Sequence, residues 1–182
     1  IVDGKFLGRL FKKIQHRLNK NSISGSKKNI EAHYDLGNDF YSMWLDKTMT
    51  YSSGFYMKED ETIEEAQKAK YQLILDTLDL PIGSRILEIG CGWGGFLEHA
   101  SKQGYLVKGI TISPSQFKFA KDRIENLEIV PDIELIDYRL LEGKFDAVVS
   151  IEMFEAVGSE YWNSYFKKIQ TVLKPNAKAI IQ

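Results

Sequence analysis

Apolar residues recur at intervals of three and four positions near the start of the chain, with Lys and Arg between them. These apolar positions are Phe6, Leu7, Leu10, Phe11, Ile14 and Leu18. The spacing predicts a basic amphipathic helix, and the stretch NKNSISGS at residues 19–26 predicts a linker. The helix could pack on the rest of the chain or lie at a bilayer interface. Packing is favoured, because apolar stripes at helical spacing mostly serve cores.

A second pattern begins at residue 30 and leads into a capped helix. Residues 30–45 are rich in aromatic side chains and predict a helix broken near Gly37. Thr62, with Glu65 three residues later, has the spacing of a capping box, and the helix it starts is expected to run to about Leu78. We therefore divide the chain into a helix-and-linker segment, residues 1–29, and a main domain, residues 30–182.

From residue 85 onwards, short apolar runs alternate with helical patterns. The predicted strands are 85–89, 106–111, 133–137, 145–151 and 177–182, and the predicted helices are 94–103, 114–126 and 160–173. This alternation predicts an α/β fold with a doubly wound, mostly parallel sheet of the Rossmann-like kind, preceded by an N-terminal helical cover. The chain stops at the fifth strand, and a central parallel strand needs cover on both faces. We therefore expect the C-terminal part of the fold to be missing.

Charge is distributed unevenly along the chain, although the net charge is only -1. Residues 1–30 hold eight basic residues and one acidic residue, which leaves 16 basic and 24 acidic residues in the remainder. A cationic segment on an acidic body favours an anionic partner surface, and lipid headgroups are favoured over nucleic acid because the remainder predicts no basic face. No run of about 18 apolar residues is present, so no membrane span is predicted.

Cysteine and histidine are too few to predict a disulfide framework or a metal site. The single Cys91 fits a reducing cytoplasm, and the three His residues are scattered. The stretch ILEIGCGWGG, residues 86–95, predicts a strand, followed by a glycine turn and then by the start of a helix. Gly90 and Gly92 would let a ligand approach the backbone, with Glu88 just before them. Nicotinamide-dependent enzymes and methyltransferases share such turns, and Thr111 does not separate them, because it stands where most members of both classes place an acid.

Seven motifs then occur in a fixed order: HYDLGNDFY (33–41), MTYSSGFY (49–56), EIGCGWGG (88–95), GITISPSQ (109–116), DYR (137–139), SIEMFEAVG (150–158) and LKPNAKAIIQ (173–182). Together they closely resemble the cyclopropane-fatty-acyl-phospholipid synthase family, which includes the mycolic acid cyclopropane synthases. The resemblance runs from about residue 30 to the last residue. It implies an S-adenosylmethionine-dependent methyltransferase domain over residues 30–182 that is C-terminally truncated.

The resemblance also implies the residues that bind the cofactor. Gly90 and Gly92 would approach the methionine part, and Tyr51 and Ser52 would close over it. Thr111, Ile112 and Gln116 would bracket the ribose and adenine, with Tyr138 beside the adenine. Ile112 and Tyr138 could instead be core residues, and Gln116 a solvated helix residue.

The implied reaction transfers the methyl carbon of S-adenosylmethionine to the cis double bond of an unsaturated phospholipid acyl chain and closes a cyclopropane ring. An isolated alkene is a poor nucleophile, so positioning in a water-excluded channel must contribute much of the rate. A base must then remove a proton from the new methyl, and a side-chain carboxylate placed too near could be alkylated. The resemblance implies bicarbonate as that base, bound by Glu155 and the backbone of Ile151; Glu152 is the less favoured of the two acids.

Two residues depart from the family pattern. Ser53 stands where several members have Cys, and Gln182 where some have His; both keep hydrogen-bonding capacity, and we count both as catalytic candidates. A family tyrosine is expected beyond residue 182, so the activity of this piece of the protein on its own is left open. The aromatic residues that could line an acyl channel, but are assigned to the core more readily, are Tyr34, Phe40, Tyr41, Trp44, Phe55 and Phe154. His33 is assigned a structural hydrogen bond.

Alternative functions stay open at this point. The chain could methylate a fatty acyl chain or a small-molecule amine without ring closure, or it could be a cofactor-binding or membrane-docking module without catalysis. The expected partner is unsaturated phospholipid at a membrane surface, with no nucleic acid. The expected location is cytoplasmic, peripheral on the inner face of the membrane. Association into a homodimer is left open, as are the acyl chain length, the double-bond position and the headgroup.

Overall fold

The computed structural model describes residues 37–182. The predicted helix and linker of residues 1–29, together with His33 and Tyr34, lie outside the described residues. The described helices are α1 (Gly37–Ser42), α2 (Ile63–Leu78), α3 (Gly95–Lys102), α4 (Pro114–Ile124) and α5 (Trp162–Val172). The strands are β1 (Arg85–Ile89), β2 (Leu106–Thr111), β3 (Asp132–Leu135), β4 (Phe145–Ser150) and β5 (Leu173–Ile181). Three short 3-10 helices occupy Tyr138–Leu140, Phe154–Ala156 and Ser159–Tyr161.

The five described strands form one sheet in the order β3-β2-β1-β4-β5, and every neighbouring pair is parallel. The order reverses between β1 and β4, which begin the two halves of the sheet. The predicted doubly wound parallel sheet is therefore confirmed. In such sheets ligands bind outside the carboxyl ends of the strands at this reversal, because the connecting loops diverge there and leave a crevice.

The sheet buries apolar residues on both faces. Ile86 and Val107 pack with α2 and α3 in one cluster, whereas Leu87 and Val148 pack with α5 in another. Successive residues of a strand point to opposite faces, so both Ile86 and Leu87 are buried only because helices cover both sides. This explains why β1 and β4 are apolar without alternation.

Helix α2 begins where its sequence predicts. The Thr62 hydroxyl accepts the backbone N–H of Glu65, and the Glu65 carboxylate accepts the N–H of Thr62 at 2.8 Å, so the predicted capping box is present. At the other end Asp79 adopts the left-handed conformation, with φ 50°, and its N–H donates to the carbonyl of Leu75. The helix packs its buried face on α3 and the sheet.

Several boundaries differ from the sequence prediction. The helix broken near Gly37 is present as α1 from Gly37 onwards, where Gly37 has φ +78°. Strand β3 ends at Leu135 because Asp137 caps the next 3-10 helix by accepting the N–H of Arg139 at 2.9 Å. The predicted helix 160–173 begins as the 3-10 turn Ser159–Tyr161 and becomes α-helical at Trp162.

Strand β5 starts four residues earlier than predicted. Its register with β4 moves from the pair Phe145–Leu173 to the pair Ala147–Lys178, so the strand bulges between them. Pro175 and Asn176 lie in that bulge, and Asn176 has φ 61°. Proline cannot donate to a ladder, and bulges are where strands tolerate it.

Candidate active site

A cavity of about 910 Å³ opens at the carboxyl ends of β1, β2 and β4, where the strand order reverses. Of the twelve site residues that the sequence predicts, eleven lie on its wall: Tyr51, Ser52, Ser53, Gly90, Gly92, Thr111, Ile112, Gln116, Tyr138, Ile151 and Glu155. The twelfth, Gln182, follows β5 and donates from its side-chain amide to Ser53. Residues that are separated by up to 131 positions in the chain thus meet at one site, because β1, β2, β4 and β5 all end there.

The glycine turn after β1 leaves its backbone accessible from the cavity. Gly90 and Gly92 have φ +80° and +52°, and a Cβ added at Gly92 would meet no atom within 4 Å. The N–H groups of Gly90 and Cys91 both donate to the carbonyl of Ile110, which fixes the turn against β2. Cys91 is buried in the core, and the Trp93 indole donates to the Asn38 side chain at 2.7 Å. The turn is therefore not filled by its own bulky side chains.

The ends of β2 and β3 supply the next part of the wall. The Thr111 hydroxyl donates to the Gln116 side chain at 3.2 Å and accepts the N–H of Ser113. Gln116 is 5% exposed, so the alternative of a solvated helix residue is wrong. Tyr138 lies half-buried at the cavity, edge to face with Tyr165, and burial raises the pKa of its phenol.

Asp137 is a wall residue whose role sequence reasoning left unassigned. Its carboxylate accepts two hydrogen bonds from the Arg139 guanidinium, at 2.8 and 2.6 Å. Arg139 also lies over the rings of Tyr138 and Tyr161. The DYR motif therefore folds on itself, and a bidentate pair of this kind holds the Tyr138 ring in place.

Glu88, the acid before the glycines, is almost completely buried at the cavity wall. Its Oε2 has no hydrogen-bond partner among the described residues. Burial raises the pKa of Glu88 to about 8, against the attraction of Lys70. An unsatisfied buried carboxyl group is costly, and such groups are commonly found where a ligand supplies the partner.

Lys70 on α2 is a residue that sequence reasoning missed. Burial lowers the pKa of its ammonium group to about 8. Its Nζ donates to the Ser52 hydroxyl at 2.8 Å and to the Ser53 carbonyl at 2.7 Å. A signal was available, because Lys70 falls in the apolar stripe with Tyr71 and Ile74, where a charged residue is unusual.

Five side chains form a polar cluster at one end of the cavity, and we call them the serine–glutamate cluster: Ser52, Ser53, Lys70, Glu152 and Gln182. The Ser52 hydroxyl donates to Glu152 Oε1 at 3.3 Å. The Gln182 amide donates to the hydroxyls of Ser52 and Ser53 at 3.2 and 3.1 Å, and approaches Glu152 Oε1 at 3.5 Å. These contacts hold the segment 51–53 against the ends of β4 and β5.

Glu155 lies in the 3-10 helix Phe154–Ala156, on the cavity wall and with an exposed side chain. Ile151 lies between it and the end of β4. Glu152, the acid that sequence reasoning favoured less, takes part in the serine–glutamate cluster. Both residues therefore line the same cavity.

The aromatic residues divide between the core and the cavity mouth. Tyr41 is buried beside Trp93, and Phe154 packs among Trp162, Tyr165 and Phe166. The core assignment is wrong for three of the set, which have exposed fractions of 37% to 47%: Phe40, Trp44 and Phe55. Trp44 lies on the cavity wall beside Tyr51.

Two absences bear on the class of protein, and both concern residues 37–182 alone. No helix in this range combines the length and apolar character needed to cross a membrane. No group of three or more His, Cys, Asp or Glu side chains in the same range could hold a metal ion.

The sheet order, the glycine turn at its reversal and the cavity above that turn define the class: a Rossmann-like S-adenosylmethionine-dependent methyltransferase fold. The family model described as "Mycolic acid cyclopropane synthetase" matches residues 21–182. The chain belongs to this family.

Relatives and solved structures agree with this assignment. The chain is 46% identical over 146 residues to cyclopropane-fatty-acyl-phospholipid synthase of Escherichia coli strain K12, covering 80% of this chain and 37% of the relative. It is 36% identical over 166 residues to tuberculostearic acid methyltransferase UfaA1 of Mycobacterium tuberculosis, covering 86% and 39%. The crystal structure of mycolic acid cyclopropane synthase CmaA1 complexed with SAH and CTAB superimposes with a TM-score of 0.81 at 32% identity, covering 85% and 55%. The chain therefore spans less than half the length of the two curated relatives and 55% of the crystallised protein.

Proposed function

We propose that the protein carrying this chain transfers the methyl carbon of S-adenosylmethionine to the cis double bond of unsaturated phospholipid acyl chains and closes a cyclopropane ring. One observation carries the proposal. A single cavity joins an accessible glycine turn to a cluster of carboxylate, serine and amide side chains. The name and 46% identity of the Escherichia coli relative support the same reaction.

The cavity wall fits S-adenosylmethionine, which supplies an electrophilic methyl on a sulfonium centre when bound. Gly92 gives open space beside the backbone, and Gly90 holds the turn. The unpaired Oε2 of Glu88 is an acceptor for a ligand donor at the same place. The ribose and adenine would lie between side chains that follow β2 and β3. These are Thr111, Ile112 and Gln116 after β2, and Tyr138 after β3. Tyr51 and Ser52 would close over the methionine part.

The rest of the wall suits an acyl chain. Apolar side chains predominate between the glycine turn and the mouth, and they include Leu45, Ile63, Phe96, Met153 and Val157. They exclude water from the alkene and hold it in line with the sulfonium methyl, which is the main contribution this chain can make to attack by a weak nucleophile.

The proton acceptor needs a separate proposal. The resemblance predicts bicarbonate, held by Glu155 and the backbone of Ile151, with Ser53 and Gln182 as donors. That prediction is supported by the presence of Ser53, Ile151 and Glu155 on one cavity wall and by the hydrogen bond from the Gln182 amide to Ser53. Activity that rises with added bicarbonate, and that E155Q loses, would support it.

A second candidate function is addition of a methyl group to an acyl chain without ring closure, or methylation of a small-molecule amine. The 36% identity to a relative named tuberculostearic acid methyltransferase favours the acyl version. Ser53 and Gln182, where the resemblance expects Cys and His in several members, point the same way. Spectroscopy of the product separates a ring from a methylene branch.

The membrane surface is proposed as the place of reaction, on its cytoplasmic inner face. Large apolar side chains are exposed in the segment before and around the cavity mouth, among them Met43, Trp44, Tyr51, Tyr56 and Met57. Aromatic side chains with one polar end suit the boundary between headgroups and acyl chains. Association of two copies of the protein into a homodimer stays a prediction.

The test uses the purified protein, S-adenosylmethionine and vesicles of unsaturated phosphatidylethanolamine. We expect each modified acyl chain to gain the mass of one CH₂ and to show ring protons by NMR. Vesicles of fully saturated phospholipid are the control, since they offer no alkene. Unchanged lipid from a protein that binds S-adenosylmethionine tightly would contradict the proposal.

A further inference from the structure

Lys70 on α2 is a buried ammonium group that forms no ion pair within residues 37–182. The residue is 5% exposed, and no carboxylate in that range lies close enough to pair with its Nζ. Glu152, Asp46 and Glu88 attract it only from a longer distance. Buried lysines are almost always paired, because an isolated charge is costly to remove from water. The surroundings of Lys70 therefore favour a further negative charge nearby.

Lys70 reaches the cavity through two serine residues. Its Nζ donates to the Ser52 hydroxyl at 2.8 Å and to the Ser53 carbonyl at 2.7 Å. Gln67, three residues earlier on α2, donates from its side-chain amide to the Ser52 carbonyl at 2.6 Å. Ser52 and Ser53 line the cavity, whereas Lys70 does not. Lys70 therefore acts on a ligand in the cavity through the segment 51–53 and not by direct contact.

The hydrogen bonds at Ser52 leave its hydroxyl group one role. The Lys70 ammonium and the Gln182 amide both donate to Ser52 Oγ, at 2.8 and 3.2 Å. A hydroxyl oxygen accepts two hydrogen bonds and donates one, so the Ser52 O–H can only donate. Its acceptor among the described residues is Glu152 Oε1 at 3.3 Å, whereas a hydroxyl donor usually lies roughly 2.5–3.0 Å from its acceptor. An anion that came closer to Ser52 would displace this long contact.

We propose that Lys70 is a positioning residue that makes Ser52 a hydrogen-bond donor to a carboxylate or bicarbonate anion in the cavity. The proposal rests on the proposed function and deepens it, because it names the residue that supplies positive charge at this end of the site. The same chemistry has two sources, which are the carboxylate of the methionine part of S-adenosylmethionine and free bicarbonate. Ser52 is expected beside the first and Ser53 beside the second, and Lys70 donates to both serines.

The charges on the cavity wall explain why an anion needs Lys70. Glu152 and Glu155 both lie on the wall, and a further anion beside two carboxylates is repelled. Among the described residues, Arg139 is the one cationic side chain on the wall, and it is paired with Asp137 at 2.6 Å. Lys70, directly behind the serines, is the cation that can offset this repulsion.

The test compares K70M with K70R and K68M in the full-length protein. Methionine has a similar length to lysine without the charge, and arginine keeps the charge. Lys68 lies on the same helix and pairs with Glu64 at the surface, so K68M is the matched control. Calorimetry measures the affinities for SAH and for 5′-methylthioadenosine, a similar nucleoside thioether that lacks the amino-acid part and its carboxylate. NMR measures the affinity of the SAH-bound protein for ¹³C-labelled bicarbonate.

The two sources of the anion predict different results. If the anion is the cofactor carboxylate, K70M should weaken SAH binding about tenfold and leave 5′-methylthioadenosine binding unchanged, because it removes a charge-assisted interaction. If the anion is bicarbonate, K70M should keep its SAH affinity and lose about tenfold in bicarbonate affinity. K70R should recover most of either loss, and K68M should show neither. Because Lys70 acts through Ser52, K70M should add little to the loss that S52A already causes.

Several results would overturn the proposal. Equal losses of SAH and 5′-methylthioadenosine affinity in K70M would show that Lys70 only supports the fold. Unchanged affinities for both SAH and bicarbonate, a K70R variant that binds as weakly as K70M, or independent effects of K70M and S52A would each contradict it as well. None of these measurements uses lipid, so a wild-type protein that modifies no unsaturated phospholipid contradicts the proposed function alone.

Discussion

At the scale of single residues, the site is built from side chains and backbone groups that would be unfavourable elsewhere. Glu88 is a buried carboxyl group with one oxygen that has no partner within residues 37–182, Lys70 is a buried ammonium group, and Glu152 has a positive φ. Each lowers the stability of the protein unless something else compensates for it. Glu88 and Glu152 lie on the cavity wall, and Lys70 donates to Ser52 and Ser53 on the same wall, which is the residue-level argument for a ligand site there.

Replacing Glu88 with Gln is expected to stabilise the ligand-free protein, increasingly so as pH rises. In the folded state Glu88 has its pKa raised to about 8, whereas in the unfolded chain it ionises near its ordinary value. Its contribution to stability is therefore fully present below the unfolded pKa and is lost as pH rises through the folded one. Between pH 5 and 8 the difference between E88Q and wild type should grow by up to about 1 kcal/mol per pH unit.

Urea unfolding at pH 5, 6, 7 and 8 measures this difference. E64Q is a control, because Glu64 is a partly exposed acid on α2 that pairs with Lys68. A difference between E88Q and wild type that stays constant with pH would show that Glu88 is already ionised in the folded state.

Replacing Gly90 with Ala is expected to damage both the fold and the cofactor site. Its φ is +80°, and a Cβ would approach Met153 Cγ to 2.8 Å. We expect a loss of about 1–3 kcal/mol in stability and at least tenfold in SAH affinity. Gly83 has φ +86° with nothing within 4 Å and lies off the cavity wall, so G83A isolates the backbone effect. Equal SAH affinity in G90A and G83A would contradict the placement of the cofactor at the turn.

At the scale of elements, helices and strands carry the site residues to the crevice and are themselves specified by local signals. Helix α2 brings Lys70 inward because its cap at Thr62 and its apolar stripe fix which face is buried. Strands β1, β2 and β4 are covered on both faces and end at one edge of the sheet. The positions of the site residues therefore depend on the packing of these elements.

Replacing Thr62 with Ala should destabilise the protein by about 1 kcal/mol through loss of the capping box. Both Thr62 and Glu65 contribute to it, by reciprocal hydrogen bonds to the backbone. T77A is the matched control, since the Thr77 hydroxyl only bonds the Leu73 carbonyl within the same helix. Thermal unfolding of the two variants decides the point; a T62A change no larger than that of T77A would mean that the cap adds nothing.

At the scale of the whole molecule, ligand binding and surface charge make two further tests. An SAH concentration of 100 times its Kd should stabilise the folded state by about 2.7 kcal/mol. For a domain of this size that corresponds to a rise in Tm of roughly 5–10 °C. Differential scanning fluorimetry with adenosine as the comparison ligand would show whether the methionine part contributes.

Removal of residues 1–29 should weaken binding to anionic lipid vesicles. Those residues carry most of the excess positive charge, whereas the remainder is acidic. Binding of the intact protein should fall as salt rises from about 0.05 to 0.3 M, because the Debye length shortens. Vesicle sedimentation with neutral phosphatidylcholine is the control. Equal sedimentation of both proteins would contradict a role for the cationic segment.

The sequence by itself determined the elements and their order. The capping box at Thr62, the apolar runs of β1 and β4, and the glycine turn are local signals, because cap, pleat and positive φ each depend on a few adjacent residues. The sequence motifs also identified the family. Boundaries such as the start of β5 were missed, since the bulge near Pro175 depends on pairing with β4.

Only the tertiary structure decided which side chains meet. Lys70, Ser52, Glu152 and Gln182 come from four separate segments, and no local pattern shows that they share one cluster. Glu152 joins this cluster because the segment 51–53 and the end of β5 both reach its carboxylate. Hydrogen bonds between distant segments, and the burial of their side chains, arise from packing. Packing is a property of the whole folded chain and cannot be deduced from residues that are adjacent in sequence.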